Sequence, residues 1–253
     1  MKVLPLVNYA VIACAISLCS NHTMAWHDAT HMAVAKAAGI DNYAYLAVGA
    51  DMAKEKAGDI EAGNHYHNNP RGVEITPGTV LGQFSDYNKP GDAVGHLYGA
   101  IVASVNDYII KGSGGKYALY TLGYAAHYIG DLSMPFHNMT FNDFNKTNHT
   151  ANDGIVEITG PRDETTDEKV ARLAGEIQKR MSKLPPIQLS TNINSFYKEM
   201  AVHIAAIANK ASALGYAMQE ANPQRITLTE EEVYLQLAQS AQLLKAVYMA
   251  TIK

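Results

Sequence analysis

Apolar positions along this chain gather into long stretches with helical spacing, separated by polar segments rich in turn-forming residues. Thr30 to Ala38 is short and Ala-rich, with Gly39 as its C-terminal stop. Tyr43 to Lys56 predicts a second helix. Ala93 to Ile110 and Lys116 to Leu132 are apolar nearly all round, which predicts buried helices. Thr165-Thr-Asp-Glu168 and Thr229-Glu-Glu-Glu232 fit the capping box, in which Thr accepts from the backbone and Glu reaches back. They open helices over about 166–183 and 230–251, and Ser195 to Glu220 is one more long helix. Val80 to Phe84 is too short and glycine-interrupted to argue for a sheet. The segments 57–92 and 138–164 read as loops, with turn signals at Asn69-Pro-Arg-Gly72 and Lys89-Pro-Gly-Asp92. Loops of that length inside a compact domain usually carry function. The expected fold is all-α, a single compact multi-helix domain over 26–253.

Residues 1–25 are expected to be a cleaved signal peptide. Lys2 provides a positive n-region, Val3 to Cys19 is apolar apart from Asn8 and Ser17, and Thr23-Met-Ala25 ends in a small residue. The alternative is a membrane anchor, but the run is short for a bilayer core of ~30 Å. Leu18 before Cys19 argues against lipid attachment. Both cysteines, Cys14 and Cys19, would leave with the signal, giving an exported chain without disulfides, secreted or periplasmic. The formal charge of −4 lacks any basic cluster. No stable nucleic-acid partner is expected on that ground.

Candidate chemistry is concentrated in His127-Tyr-Ile-Gly-Asp131-Leu-Ser-Met-Pro-Phe-His137, followed by His149-Thr-Ala-Asn-Asp153. His127 and Asp131 are four apart, as are His149 and Asp153, so on a helix each pair shares a face and can grip one cation. Imidazole and carboxylate donors without thiolate form the ligand set of a catalytic zinc. Further candidates line up upstream: Trp26, His31, Asp51 and His65. Metal-assisted hydrolysis is the expected chemistry.

This ordered set, Trp26 to Asp153, resembles the zinc-dependent phospholipase C and single-strand nuclease superfamily. The resemblance implies three zinc ions. One would be held by Asp51, His65, His127 and Asp131. A second would take Trp26, through its α-amino nitrogen and carbonyl oxygen, with His31 and a shared Asp131. The third would take His137, His149 and Asp153. Asp51 is also implied as ligand or general base in catalysis. An α-amino group can ligate only after the preceding peptide bond is cut, which would link export to metal loading.

Several neighbours compete with these assignments. His67 stands two residues beyond His65 and could replace it; Asp59 could be confused with Asp51. His27 reads as an exposed neighbour of Trp26. His96 and His203 read as structural, without acidic partners at ligand spacing. Asn138, Asn145 and Asn148 match the glycosylation sequon but read as polar loop chemistry.

Within the superfamily the short spacing from His137 to His149 and the absence of any tryptophan besides Trp26 favour the phospholipase branch. The expected substrate is a phospholipid at a membrane surface, engaged through loops such as Val73–Tyr87 and Met139–Phe144, by a monomer. The gap of five from Trp26 to His31 and the final Asp153 are nuclease-like, so the nuclease remains the alternative. Met52 follows Asp51 where a choline-recognising enzyme would offer an aromatic ring. A non-catalytic zinc-binding surface protein is a third reading.

Overall fold

A computed structural model of the chain describes residues 26–112, 115 and 117–252. The predicted signal segment 1–25 and the start of the predicted helix at Lys116 lie outside the described residues. Among these residues ten α-helices and three 3₁₀ turns form one compact all-α domain without strands. In chain order they are α1 Asp28–Ala37, α2 Gly49–Ala57, α3 Asp59–Ala62, α4 Pro77–Gly82, α5 Leu97–Ile110, α6 Ala118–Asp131, α7 Asp143–Asp153, α8 Thr166–Met181, α9 Ile193–Glu220 and α10 Glu230–Thr251. The 3₁₀ turns are Asp41–Val48, Gln83–Asp86 and Pro135–His137.

The helix α6 is the axis of the fold. It packs along α5 on one side and against the Asp41–Val48 turn, α1, α2 and α10 on the others. Its apolar circumference puts Leu122, Ala125, Tyr128 and Ile129 into the core beside Tyr98, Ile101 and Val105 of α5. That explains why both segments lack a polar face in the sequence. Outside them, α8 covers α1 and α10, and α9 covers α4 and the Pro135–His137 turn. Both predicted capping boxes are formed, with Thr165 and Thr229 each accepting from, and receiving back, the Glu three residues on.

Four predicted segments differ from those observed, the first being 57–92, which reads as loop but carries α3, α4 and the Gln83–Asp86 turn. Tyr43 to Lys56 is not one helix but a 3₁₀ turn followed by α2. The tighter turn leaves the Ala47 carbonyl free to accept from His127 Nδ1 at 2.7 Å. The α5 helix begins at Leu97 rather than Ala93. Asn68 ties down the residues before it, its amide side chain donating to Ala93 O and its backbone N–H to Val94 O. Within the segment 138–164, α7 is a regular helix capped by the Asn142 side chain. Its buried positions are polar apart from Phe144, namely Asn145, Asn148, His149, Asn152 and Asp153, so apolar periodicity could not reveal it. Asn138, Asn145 and Asn148 are all buried and donate to backbone carbonyls, so these sequons face the interior.

Two glycines on α6 allow the close approaches that the site needs. A Cβ at Gly123 would fall 2.6 Å from Leu46 O, and one at Gly130 would fall 2.6 Å from His31 Nδ1. Glycine in a helix interior costs about 0.5–1 kcal/mol relative to alanine. Here it admits the 3₁₀ turn and α1 against the axis.

Candidate metal centre

Side chains from six elements converge beside the C-terminal half of α6. His31 comes from α1, Asp51 from α2, His65 from the segment after α3, and His127 with Asp131 from α6. His137 ends the Pro135–His137 turn, and His149 with Asp153 share a face of α7. Three buried groups result: His31–Asp51–His127, His65–His127–Asp131 and His137–His149–Asp153, each with one donor atom per residue within 4.8 Å of the others. These groups could bind metal ions.

The two inner groups are interleaved. Asp131 Oδ2 lies 3.1 Å from His65 Nδ1 and 3.3 Å from His127 Nε2, while its Oδ1 lies 3.3 Å from His31 Nε2. Asp51 Oδ1 stands 3.6 Å from His65 Nδ1 and 3.8 Å from His127 Nε2. The rings of His31 and His127 stack at 3.8 Å. In the third group His149 Nε2 is 3.5 Å from Asp153 Oδ1. His31 therefore stands with Asp51 and His127 as well as beside Asp131, so the two inner predicted sets share more donors than Asp131 alone.

The far ring nitrogens are held from outside. His127 Nδ1 donates to Ala47 O, His137 Nδ1 to His65 O, and His149 Nδ1 to Asn145 Oδ1. Each bond places the proton on Nδ1 and leaves Nε2 facing the cluster, as outer partners of metal-ligating histidines do.

The donors fit a bound cation. Both ring nitrogens of His31, both oxygens of Asp51 and Asp153, Asp131 Oδ1 and His149 Nε2 are buried without a hydrogen-bond partner. An orphaned buried polar group costs about 1–3 kcal/mol, and a charged one more. So many in one place, all nitrogen and carboxylate oxygen, suit a divalent metal of borderline softness.

The local charges follow from burial and mutual attraction. Burial alone would raise Asp131, but His127 and His137 outweigh it and hold its carboxyl well below the ordinary range. Burial lowers His127, yet Asp131 and Asp51 lift it to about 9. Burial, with Lys54 and His65 nearby, pushes His137 down to about 4 against the pull of Asp131. Burial also raises Asp153 well above the carboxylate range, helped by the negative charge of Asp131. Asp51 stays below the ordinary value because His127 and His65 outweigh its burial.

Other candidates fall outside the groups. His67 faces away, with Nδ1 against Gly95 O and the Gln83 amide, so His65 and not His67 enters the cluster. Asp59 is exposed at the start of α3. His27 is not exposed but half-buried, packed so closely on Gly154 that a Cβ there would clash with its ring. His96 does have an acidic partner, Asp92, 2.9 Å from its Nδ1, and it remains outside the metal groups. Trp26 is wholly buried just before α1, its indole nitrogen unpaired.

A cavity of about 290 Å³ opens onto the cluster. It is lined by His65, His137 and His149, by the apolar Ala62, Ala93, Phe136 and Phe141, and by Lys54, Tyr66 and Asn68. Lys54 Nζ is 3.8 Å from Asp51 Oδ1, one turn further along α2. Reading by residue type passed over Lys54 and took Asn145 for polar loop chemistry, although both lie at helical spacing from a proposed ligand. No protein-family model matches the chain, and no curated protein is similar enough to count as a match.

Proposed function

We propose that this chain is an exported zinc-dependent phospholipase C, hydrolysing glycerophospholipids to diacylglycerol and a phosphorylated head group. The observation that carries the reading is one cavity lined by three histidines, apolar side chains and a lysine. A phosphodiester with an acyl-bearing half requires those three surfaces together.

Zinc would be held by His31, Asp51, His65, His127 and Asp131 in the inner groups, with the Trp26 amine as a further donor after processing. A third ion would sit on His137, His149 and Asp153. Bound zinc would supply Lewis acidity to the phosphoryl oxygens and bring the pKa of water in the site towards ~7. Lys54 adds a positive charge where the phosphate would lie, and the charge counts for more in a partly desolvated cavity than in water. Asp51 is ionised and orients the attacking water while serving as a ligand. Phe136 and Phe141 exclude water and accept the apolar part of the substrate.

The second reading is a single-strand nuclease. Phe141, 41 % exposed at the cavity, presents a ring face on which a base could stack. The deciding assay offers the mature protein, with zinc, mixed phospholipid vesicles and, separately, single-stranded DNA and RNA. Diacylglycerol release is expected. Cleavage of nucleic acid without diacylglycerol would overturn the phospholipase reading and install the nuclease.

A further inference from the structure

Behind the inner metal groups lies a buried carboxylate that the proposed reaction does not use. Glu61 is 5 % exposed, on the short α3 helix. Its Oε1 accepts from the Tyr128 hydroxyl at 2.5 Å, and its Oε2 accepts from Asn64 Nδ2 at 3.1 Å. Asn64 is fixed in turn: its Oδ1 accepts from Asn88 N–H and faces His96 Nε2 at 2.9 Å, and His96 Nδ1 meets Asp92. The carboxylate is therefore held from both sides. Its remaining approach is to His65, whose Nε2 stands 3.3 Å from Glu61 Oε1 and has no hydrogen-bond partner.

His65 differs from the other cluster histidines in orientation. Its Nδ1, not its Nε2, faces Asp131, Asp51 and His127. His127, His137 and His149 rest their far nitrogens on neutral oxygen atoms. Among these four, His65 brings its outer nitrogen nearest to a carboxylate, 3.3 Å from Glu61 Oε1 against 3.9 Å from His137 Nδ1 to Asp131 Oδ1.

We propose that Glu61 is a positioning residue for metal binding, accepting a hydrogen bond from His65 Nε2–H and so aiming the Nδ1 lone pair at the cation. A neutral imidazole has one N–H, and the alternative tautomer would put a lone pair against the Glu61 carboxylate and an N–H towards the metal. Glu61 thus selects the ligating tautomer and fixes the orientation of the ring. Tyr128 and Asn64 stop the carboxylate from rotating into the cluster as a ligand itself. The inference rests on the metal-binding part of the proposed function and not on its substrate.

The test titrates the mature chain and its Glu61→Gln and Tyr128→Phe variants with Zn²⁺ against a competing chromophoric chelator, and with Co²⁺ followed by its visible spectrum. Glu61→Gln is expected to keep the helical circular dichroism and the full metal capacity at saturation. One ion should bind about 10- to 100-fold more weakly, with a shifted Co²⁺ band. Tyr128→Phe leaves the carboxylate but removes the hydroxyl that aims it, so it should weaken the same ion to a smaller degree, and it carries the test alone if Glu61→Gln does not fold. Wild-type affinity and an unchanged Co²⁺ spectrum in both variants would overturn the inference. Loss of a whole equivalent of metal at saturation would also overturn it, by making Glu61 a ligand. A wild-type chain that binds neither ion would instead overturn the metal reading itself.

Discussion

Asp131 Oδ1 lies 3.3 Å from His31 Nε2, and both side chains are wholly shut off from solvent. With the other oxygen against His65 and His127, this one carboxylate faces both inner groups. Asp131→Asn should therefore empty two sites, whereas His149→Ala should empty only the third. Metal content by mass spectrometry checks this. Equal losses from the two variants would show that Asp131 serves a single ion.

The approach of α1 to α6 depends on Gly130. A Cβ there would sit 2.6 Å from His31 Nδ1, and the ring is buried with nowhere to retreat. Gly130→Ala should cost about 1–3 kcal/mol of stability, as overpacked cores do. It should also weaken one inner ion while the third group keeps its affinity. Chelator titration beside a thermal melt separates the two effects.

Metal loading should expel protons. In the metal-free protein His127 keeps its proton up to about 9, and Asp153 is held above the ordinary carboxylate range. Both must be deprotonated to ligate, so affinity should rise as pH climbs towards about 9 and fall on acidification. Calorimetry at neutral pH in buffers of different ionisation enthalpy should show net proton release; a heat independent of buffer would contradict it. In the acid range burial pushes both His149 and His137 down, against the raised Asp153, and the window is defined for His137. Its folded value of about 4 lies below the ordinary 6.5, so over that window the unfolded chain takes up a proton that the folded chain refuses. The metal-free melting temperature should accordingly fall as pH drops from 6.5 to about 4.

Lys54 tests the cavity without being a proposed ligand itself, although its Nζ lies 3.8 Å from Asp51 Oδ1. Lys54→Gln should keep the full metal content and lower turnover by about 100-fold, the usual loss when a group stabilising transition-state charge is removed. Unchanged turnover would place the phosphate elsewhere.

The helical fold was legible because α5, α6, α8, α9 and α10 carry either continuous apolar runs or paired capping residues. The cluster was legible because His127 with Asp131 and His149 with Asp153 repeat the spacing of one helical turn. The interleaving of His31 with Asp51 and His127 was not, since it depends on two small residues of α6 admitting neighbours that lie far away in the chain. The α7 helix was hidden because its inward positions, Asn145, Asn148 and Asn152, are polar residues satisfied by hydrogen bonds. Glu61 lies four residues before His65, a spacing visible in the sequence, but its role emerges only once Tyr128 and Asn64 are seen to hold it.

Retention of metal by the buried histidine and aspartate side chains underlies the proposed catalysis. Its most direct test is the metal content of the purified mature protein after dialysis against metal-free buffer, set beside its melting temperature with and without chelator. Zinc approaching one ion for each of the three buried groups is expected, with a lower melting temperature once the ions are stripped. A protein without bound metal, whose melting is unchanged by zinc or by chelator, would contradict it.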